Sequence, residues 1–323
     1  MVVTTTINSS VKGKAYEYAN VLALQEIVSP IRPIEVVENS SLSIAKQRFL
    51  YDISDIDRSD MLASAKAGMG TIIEMEPKIV EDGVDKLTVS LQPDSVARVG
   101  DVRDVLIIRR SIAWEIGISV KHNHEALKHS RLATNLDFGN AWYGIPSSPT
   151  YFKDIEPIFT SLKSMRLGGV LWREIQDKEG LIYIPLLEAF MREVIRTYDS
   201  KGDDVTKGLI KYLIGSNGND YYKLIHYDHR VVRVVPYNLY GTLNQSSASS
   251  APDKVISNIQ LPTRIINLSF KEDSKTTVVL TMNNGWAISF RIHNASSRVE
   301  PSLKFDIQLV GQPSGLFFID VAW

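Results

Sequence analysis

A chain of 323 residues, 44% hydrophobic and 23% charged, has the length for one large or two modest domains and enough apolar content to bury a core. The absence of cysteine excludes disulfides, cysteine-ligated zinc or iron–sulfur centres and thiol nucleophiles. With 36 basic against 37 acidic residues, formally -1, no global field advertises nucleic acid.

The opening stretch MVVTTTINSSVKGKAYEYANVLALQEIVSP lacks a basic start followed by an apolar run and a small-residue cleavage site. No segment reaches the roughly 18 uninterrupted apolar residues of a membrane span. A cytoplasmic location is the expectation. In KGKAYEYANVLALQEIV, Ala15, Ala19 and Leu22, with Val21, Leu24 and Ile27, recur at helical intervals and predict an opening amphipathic helix carrying Glu17. SSLSIAKQRF and DRSDMLASAKAGMGTIIEM predict two further helices opened by Ser or Asp caps. The period then changes: DKLTVSLQP, RDVLIIRR and IAWEIGISVK alternate or run β-branched, and predict three strands in a meander. EALKHSRL reads as helix again, as do TYFKDIEPIFTSLKSM, IPLLEAFMREVIRTYDS and DVTKGLIKYLIG. NQSSASSAP has the composition of a flexible surface loop, and the remainder is strand-like in TRIINLSFK, TTVVLTM, WAISFRIHN, LKFDIQLVG and LFFIDVA. Asn283 to Gly285 supplies a hairpin turn between two alternating runs. The architecture is mixed α/β, helix and strand first and β-rich at the end.

Charge is unevenly spread. Acids dominate as far as Ala97, whereas from Arg98 to Arg131 bases prevail (Arg98, Arg103, Arg109, Arg110, Lys121, Lys128, Arg131), with Asp101, Asp104, Glu115 and Glu125 embedded among them. A phosphate-handling, metal-using site has this pattern, as does a solvated charged face.

Alternation along a strand puts Glu115, Gly117, Ser119 and Lys121 on one face and Trp114, Ile116, Ile118 and Val120 on the other, facing a core. Gly117 leaves room for close approach. A hairpin through Ser111 brings the strand that begins at Asp104 beside the one ending at Lys121. An aspartate next to an x-Lys pair suits phosphodiester hydrolysis: a hard cation prefers oxygen ligands, and a lysine orients the attacking water and stabilises developing charge. In the commonest form of the motif an Asp or Glu stands two residues before the lysine, where this chain has Ser119. The acid must come from Glu115, from Glu125 one helical turn later, or from Glu17. Two other readings of the segment are an HNH-type finger at His122, Asn123 and His124 and a zinc site on His122, His124 and His129. The first lacks a second hairpin, and the second sets His124 and His129 five apart on poorly matched helix faces. A plainer arrangement has His124, Lys128, His129 and Arg131 on a helix face presented to phosphate, with His122 and Asn123 as further DNA contacts.

GDVRDVLIIRR, WEIGISVKHNHEALKHSRL, DFGNAWYG and WAISFRIHNASSRVEPSLKFDIQLVGQP together resemble the HaeIII family of type II restriction endonucleases, and GKAYEYANVLAL extends the likeness over nearly the whole chain. The resemblance implies a bacterial or archaeal homodimer with a PD-(D/E)xK nuclease core, cutting duplex DNA at GGCC with magnesium (Mg2+), alongside a cognate DNA methyltransferase. It makes Asp104, or Asp101 in its place, the metal-binding aspartate, Lys121 the catalytic lysine and Glu17 a first-helix acid, while Ser119 departs from the common motif. The expected division is a nuclease core with helical insertions over 1–243, a loop over 244–254 and a β-rich region over 255–323 that contributes to DNA recognition. There SFRIHNASSRVEPS offers Arg291, His293, Asn294 and Arg298 as DNA contacts, since arginine pairs bidentately with guanine while other donors hold phosphates. Trp142 and Tyr143 read as core aromatics. A nuclease without sequence preference, for repair or recombination, and an inactive DNA-binding module are the other functions this sequence admits.

Overall fold

The computed structural model describes residues 9–93, 101–123, 125–216 and 218–323. The chain divides into two units, one of Met1–Glu125, Ser216–Ile259 and Gly315–Trp323, the other of Ala126–Gly215 and Gln260–Ser314. The division expected at 243 and 255 is therefore crossed twice. The final strand pairs back into the first unit, and the helical stretch before residue 215 belongs with the β-rich one after 260.

In the first unit, helix α1 (Ser9–Val28) precedes strand β1 (Ile34–Val36), helices α2 (Ser40–Tyr51) and α3 (Asp55–Met75), and strands β2 (Leu87–Leu91), β3 (Val105–Arg109) and β4 (Trp114–His122). Asn39 Oδ1 caps α2 by accepting from Leu42 N at 2.9 Å, and Ser54 Oγ caps α3 at 3.1 Å from Asp57 N. After an excursion into the second unit, which holds β5 (Arg131–Leu132) and helices α4 (Phe138–Tyr143), α5 (Pro149–Leu167), α6 (Ile184–Lys201) and α7 (Asp203–Ile214), the chain returns as β6 (Tyr221–Tyr227) and β7 (Val231–Tyr237). The second unit is completed by β8 (Ile265–Phe270), β9 (Thr277–Met282), β10 (Ala287–His293) and β11 (Leu303–Leu309), and β12 (Ile319–Ala322) closes the first.

The first unit's sheet runs β1-β2-β3-β4-β6-β7-β12. β2, β3 and β4 form the expected antiparallel meander, and β4 then pairs parallel with β6 in the register Ser119↔Lys223 and His122↔His226. α1 packs on α2, α3 and β4, and α3 packs on β6 and β7. Gly68 permits that contact, for a Cβ there would stand 2.5 Å from Leu224 Cδ1. Ala15, Ala19, Leu24, Met69, Ile118, Tyr222 and Leu224 fill this core.

The β3–β4 hairpin turns through Arg110–Ile112 and Ala113, whose φ of 49° is left-handed. Gly117 on β4 meets a side chain, not a ligand: a Cβ would lie 2.1 Å from Arg103 Cδ. Gly117→Ala is expected to cost about 1–3 kcal/mol by overpacking. Its denaturant midpoint is the measurement, and an unshifted one would mean Arg103 moves aside freely.

The second unit's sheet is antiparallel, β5-β11-β10-β9-β8. Asn284 and Gly285, with φ of 57° and 78°, make the expected turn between β9 and β10. Trp142 is buried, stacked on Phe290 and Tyr212 at centroid distances of 5.9 and 5.6 Å, which makes it a core aromatic. The helix expected in EALKHSRL does not form. Lys128 bridges Ile307, Leu127 N donates to Ile307 O at 2.8 Å, and Arg131–Leu132 pairs with β11. Satisfying the edge of β11 overrides the helical propensity of Glu-Ala-Leu-Lys. The tract 244–254 has neither helix nor strand, yet Asn244 Nδ2 donates to Met75 O at 2.9 Å and Lys254 pairs with Glu74 at 2.8 Å, tying it to α3.

Candidate active site

The site lies where β3 and β4 part. Their pairing ends at Val105↔Ile118, and Asp104 N donates to Ile118 O at 2.8 Å. β4 runs on to His122 against β6, so Asp104 sits in the opening beside residues 119–121. Its Oδ2 accepts from Val120 N at 2.7 Å, Lys121 Nζ at 3.1 Å and Ser119 Oγ at 3.4 Å. Among the described residues no donor reaches its Oδ1.

α1 brings Glu17 to the same place, only 6% exposed, with Lys14 Nζ 3.0 Å from its carboxylate. Burial first, and then the negative charge of Asp104, push Glu17 up to about 7, while Lys14 and Lys121 pull it down. Glu17, Asp104, Lys14, Val120, Lys121 and His122 line a cavity of about 370 Å³ together with Ser9, Ser10 and Gly13. Two carboxylates sharing a partly dry pocket are a natural seat for a hard divalent cation: it would remove their repulsion, and Asp104 Oδ1 remains available. Glu17 and Asp104 would hold it.

Ser119 is buried and fixes Asp104. Across the parallel ladder it faces Lys223, also buried, whose Nζ donates to Glu125 O at 3.1 Å. Burial, reinforced by Lys121, depresses that lysine to about 7.

The other acids weighed for the missing ligand are engaged elsewhere. Glu115 and Asp101 both bind Arg103, at 2.7 and 2.8 Å, and Asp101 is held below the usual carboxylate range, burial notwithstanding, by that guanidinium. The Glu125 carboxylate accepts from Tyr227 Oη and meets Arg233 at 3.3 Å, from an extended segment rather than a helix. Arg109 is likewise tied to Glu81 and Asp85, and Arg131 to Glu300, so much of the positive zone is neutralised internally.

Of the other expected DNA contacts, His122 turns to His226 and Asp228. Asn123 Oδ1 accepts from Asp228 N at 3.1 Å, with its own backbone in the left-handed region at φ 50°. His124 lies outside the described residues. Lys128 Nζ sits 3.7 Å over the Tyr212 ring, and burial lowers it to about 8. His129 is 3.8 Å from Asp306. The expected common helix face for Lys128, His129 and Arg131 is absent because their segment is extended. Asn294 staples its own loop, donating to Ser296 O and Arg298 O, while burial lowers His293. The guanidinium groups of Arg291 and Arg298 are exposed and have no hydrogen-bond or ion-pair partner among the described residues.

Lys14, Lys223, His226 and Asp228 are the site neighbours that sequence reasoning passed over. Lys14 stands one helical turn before Glu17. Lys223 and His226 lie on β6, in YYKLIHY, and Asp228 follows it directly.

The family model described as HaeIII restriction endonuclease matches residues 13–313. The type II restriction enzyme HaeIII of Haemophilus aegyptius is 41% identical over 316 residues, covering 98% of each chain. No solved structure matches. The matched span contains Glu17, Asp104, Lys121, Arg291 and Arg298, and the chain belongs to the HaeIII restriction endonuclease family, making it a type II site-specific deoxyribonuclease.

Proposed function

We propose that this enzyme hydrolyses duplex DNA at GGCC with magnesium, on a PD-(D/E)xK-type core in which Glu17 takes the place of the acid that Ser119 does not provide. The observation that carries this reading is the convergence of Asp104, Lys121 and Glu17 on one cavity at the β3–β4 opening. Asp104 and Glu17 hold the cation; Ser119 Oγ and Val120 N fix the Asp104 carboxylate, leaving its Oδ1 for the metal. When bound, magnesium neutralises phosphate charge and activates water. Lys121 orients the attacking water and stabilises the charge that develops on phosphate, and Lys14 balances Glu17.

Site choice falls to the second unit, where Arg291 and Arg298 carry unpaired, exposed guanidiniums suited to guanine O6 and N7 or to phosphate. A palindromic target calls for two-fold symmetry, hence a homodimer. A restriction enzyme acts on DNA that enters the bacterial cytoplasm, where a cognate methyltransferase protects the host's own sites.

Plasmid digestion with magnesium, followed by sequencing of the fragment ends, tests the proposal. Ends confined to GGCC support it; a smear means a nuclease without sequence choice, and intact but shifted DNA means a binder. Lys121→Ala is expected to slow cleavage at least about a hundredfold with little loss of DNA affinity, because general acid–base and orienting roles are worth that much while one phosphate-facing charge adds little to binding. Near wild-type cutting by a folded variant would remove Lys121 from the chemistry.

A further inference from the structure

Beside the carboxylate pocket, which His122 also lines, two histidines and an aspartate converge where β4 and β6 end. His122 ends β4, His226 is its register partner on β6, and Asp228 follows in the β6–β7 turn. Their ligating atoms all lie within 4.8 Å of one another. Both Nε2 atoms face the same oxygen, Asp228 Oδ1, at 3.5 Å from His122 and 3.7 Å from His226.

These separations are too long for hydrogen bonds and close to the spacing of ligands around one ion. Donors about 2.0 Å from a tetrahedral zinc stand roughly 3.3 Å apart. His226 makes the case sharper. It is 3% exposed, its Nδ1 is buried without a partner, and neither ring nitrogen makes a hydrogen bond among the described residues. An ion held by Nε2, which faces Asp228, would give that nitrogen the partner it lacks, while Nδ1 stays unpartnered.

The frame around the three groups is fixed. His226 stacks between His122 and Trp323, at centroid distances of 4.9 and 5.1 Å, with Tyr16 packed beside it at 5.1 Å. Asn123 ties the two chain segments, its N donating to His226 O at 2.8 Å and its Oδ1 accepting from Asp228 N at 3.1 Å. Burial lowers both histidines, which favours the neutral imidazole, the form that ligates metal. The other charges acting on the two rings are Lys12 and Asp57, of opposite sign and paired with each other at 2.9 Å. Asp228 is exposed, which leaves an entry path and a position for water.

We infer that His122, His226 and Asp228 form a transition-metal site, selective for zinc-class ions over magnesium, that clamps the end of β4 to the β6–β7 turn. The donor chemistry sets the selectivity: two imidazole nitrogens suit zinc or cobalt, whereas magnesium prefers oxygen throughout. Since His122 follows Lys121 directly, an ion here also fixes the strand end that carries the lysine.

The test is titration of the untagged, metal-stripped full chain with cobalt(II) in excess magnesium, which occupies the carboxylate pocket. One equivalent should bind and produce the visible absorption of low-coordinate cobalt, and zinc should displace it. His226→Asn and Asp228→Ala should abolish the band and weaken binding at least about tenfold, the loss known even for outer-shell partners of a metal. Asp228 is exposed, so its variant reports on the site even if the buried histidine variant does not fold. Asp104→Asn should keep the band. Absence of cobalt binding, or a band unchanged in Asp228→Ala, would overturn the assignment.

Discussion

Asp104→Asn is expected to abolish magnesium-dependent cleavage, lowering the single-turnover rate by about a thousandfold or more, on the order of 4 kcal/mol of transition-state stabilisation. The fold should survive, because the amide oxygen can occupy the Oδ2 position and keep accepting from Val120 N at 2.7 Å and Lys121 Nζ at 3.1 Å. What is lost is the anionic oxygen left over for the cation, replaced by an amide NH2 that no metal accepts. Calorimetric titration with magnesium, beside a thermal melt, separates ligand loss from unfolding. Full activity with unchanged magnesium affinity would shift the ligand to Asp101, which would then have to release Arg103.

Glu17→Gln is expected to split stability from activity. Burial and Asp104 raise the Glu17 carboxyl from 4.5 to about 7, so the folded protein favours its protonated form. The stability this confers is fully present below 4.5 and is lost as pH rises through about 7, because the unfolded chain then holds a carboxylate in water and the folded one a carboxylate in a partly dry pocket. Glu76, likewise raised to about 7 by burial, acts in the same direction. Lys223, Lys128, His122 and His226, all lowered by burial, act in the opposite direction, so the effect is read as a difference: from about pH 5 to about pH 8 the melting temperature of Glu17→Gln should rise relative to that of the metal-free wild type. Magnesium should restore the wild type at the higher pH and do much less for the variant, since the cation takes the place of the proton. Parallel melting curves for the two proteins across that range would show that Glu17 is not the group under strain.

Asp104 and Lys121 could be brought together from local rules, alternation along β4 and a short hairpin, whereas Glu17 was one of three acids the residues left open and was singled out by the family resemblance. The strands at 221–237 were not legible in the sequence. YYKLIHY is buried on nearly every residue, which hides the alternation, and the turn after it uses Asp228, His229 and Arg230, with Arg230 at φ 62° where a glycine or asparagine would have signalled a hairpin. With β6 unread, Lys223, His226 and Asp228 had no place beside β4, and the density of histidines near Lys121 looked like a site of its own. EALKHSRL failed for the opposite reason, a strong helical composition drafted to cover the edge of β11. The unit boundaries were hidden because the chain leaves the first unit near Glu125 and returns near Ser216, which no shift in composition marks.

The most direct test of the account is single-turnover cleavage of a duplex containing one GGCC site, at saturating magnesium, by Glu17→Gln and Glu125→Gln side by side. Glu17→Gln should lose about a thousandfold, on the order of 4 kcal/mol, while Glu125→Gln, whose carboxylate meets Tyr227 and Arg233 instead of the cavity, should stay within about threefold of wild type. Retained activity in Glu17→Gln, with the loss appearing in Glu125→Gln, would contradict it.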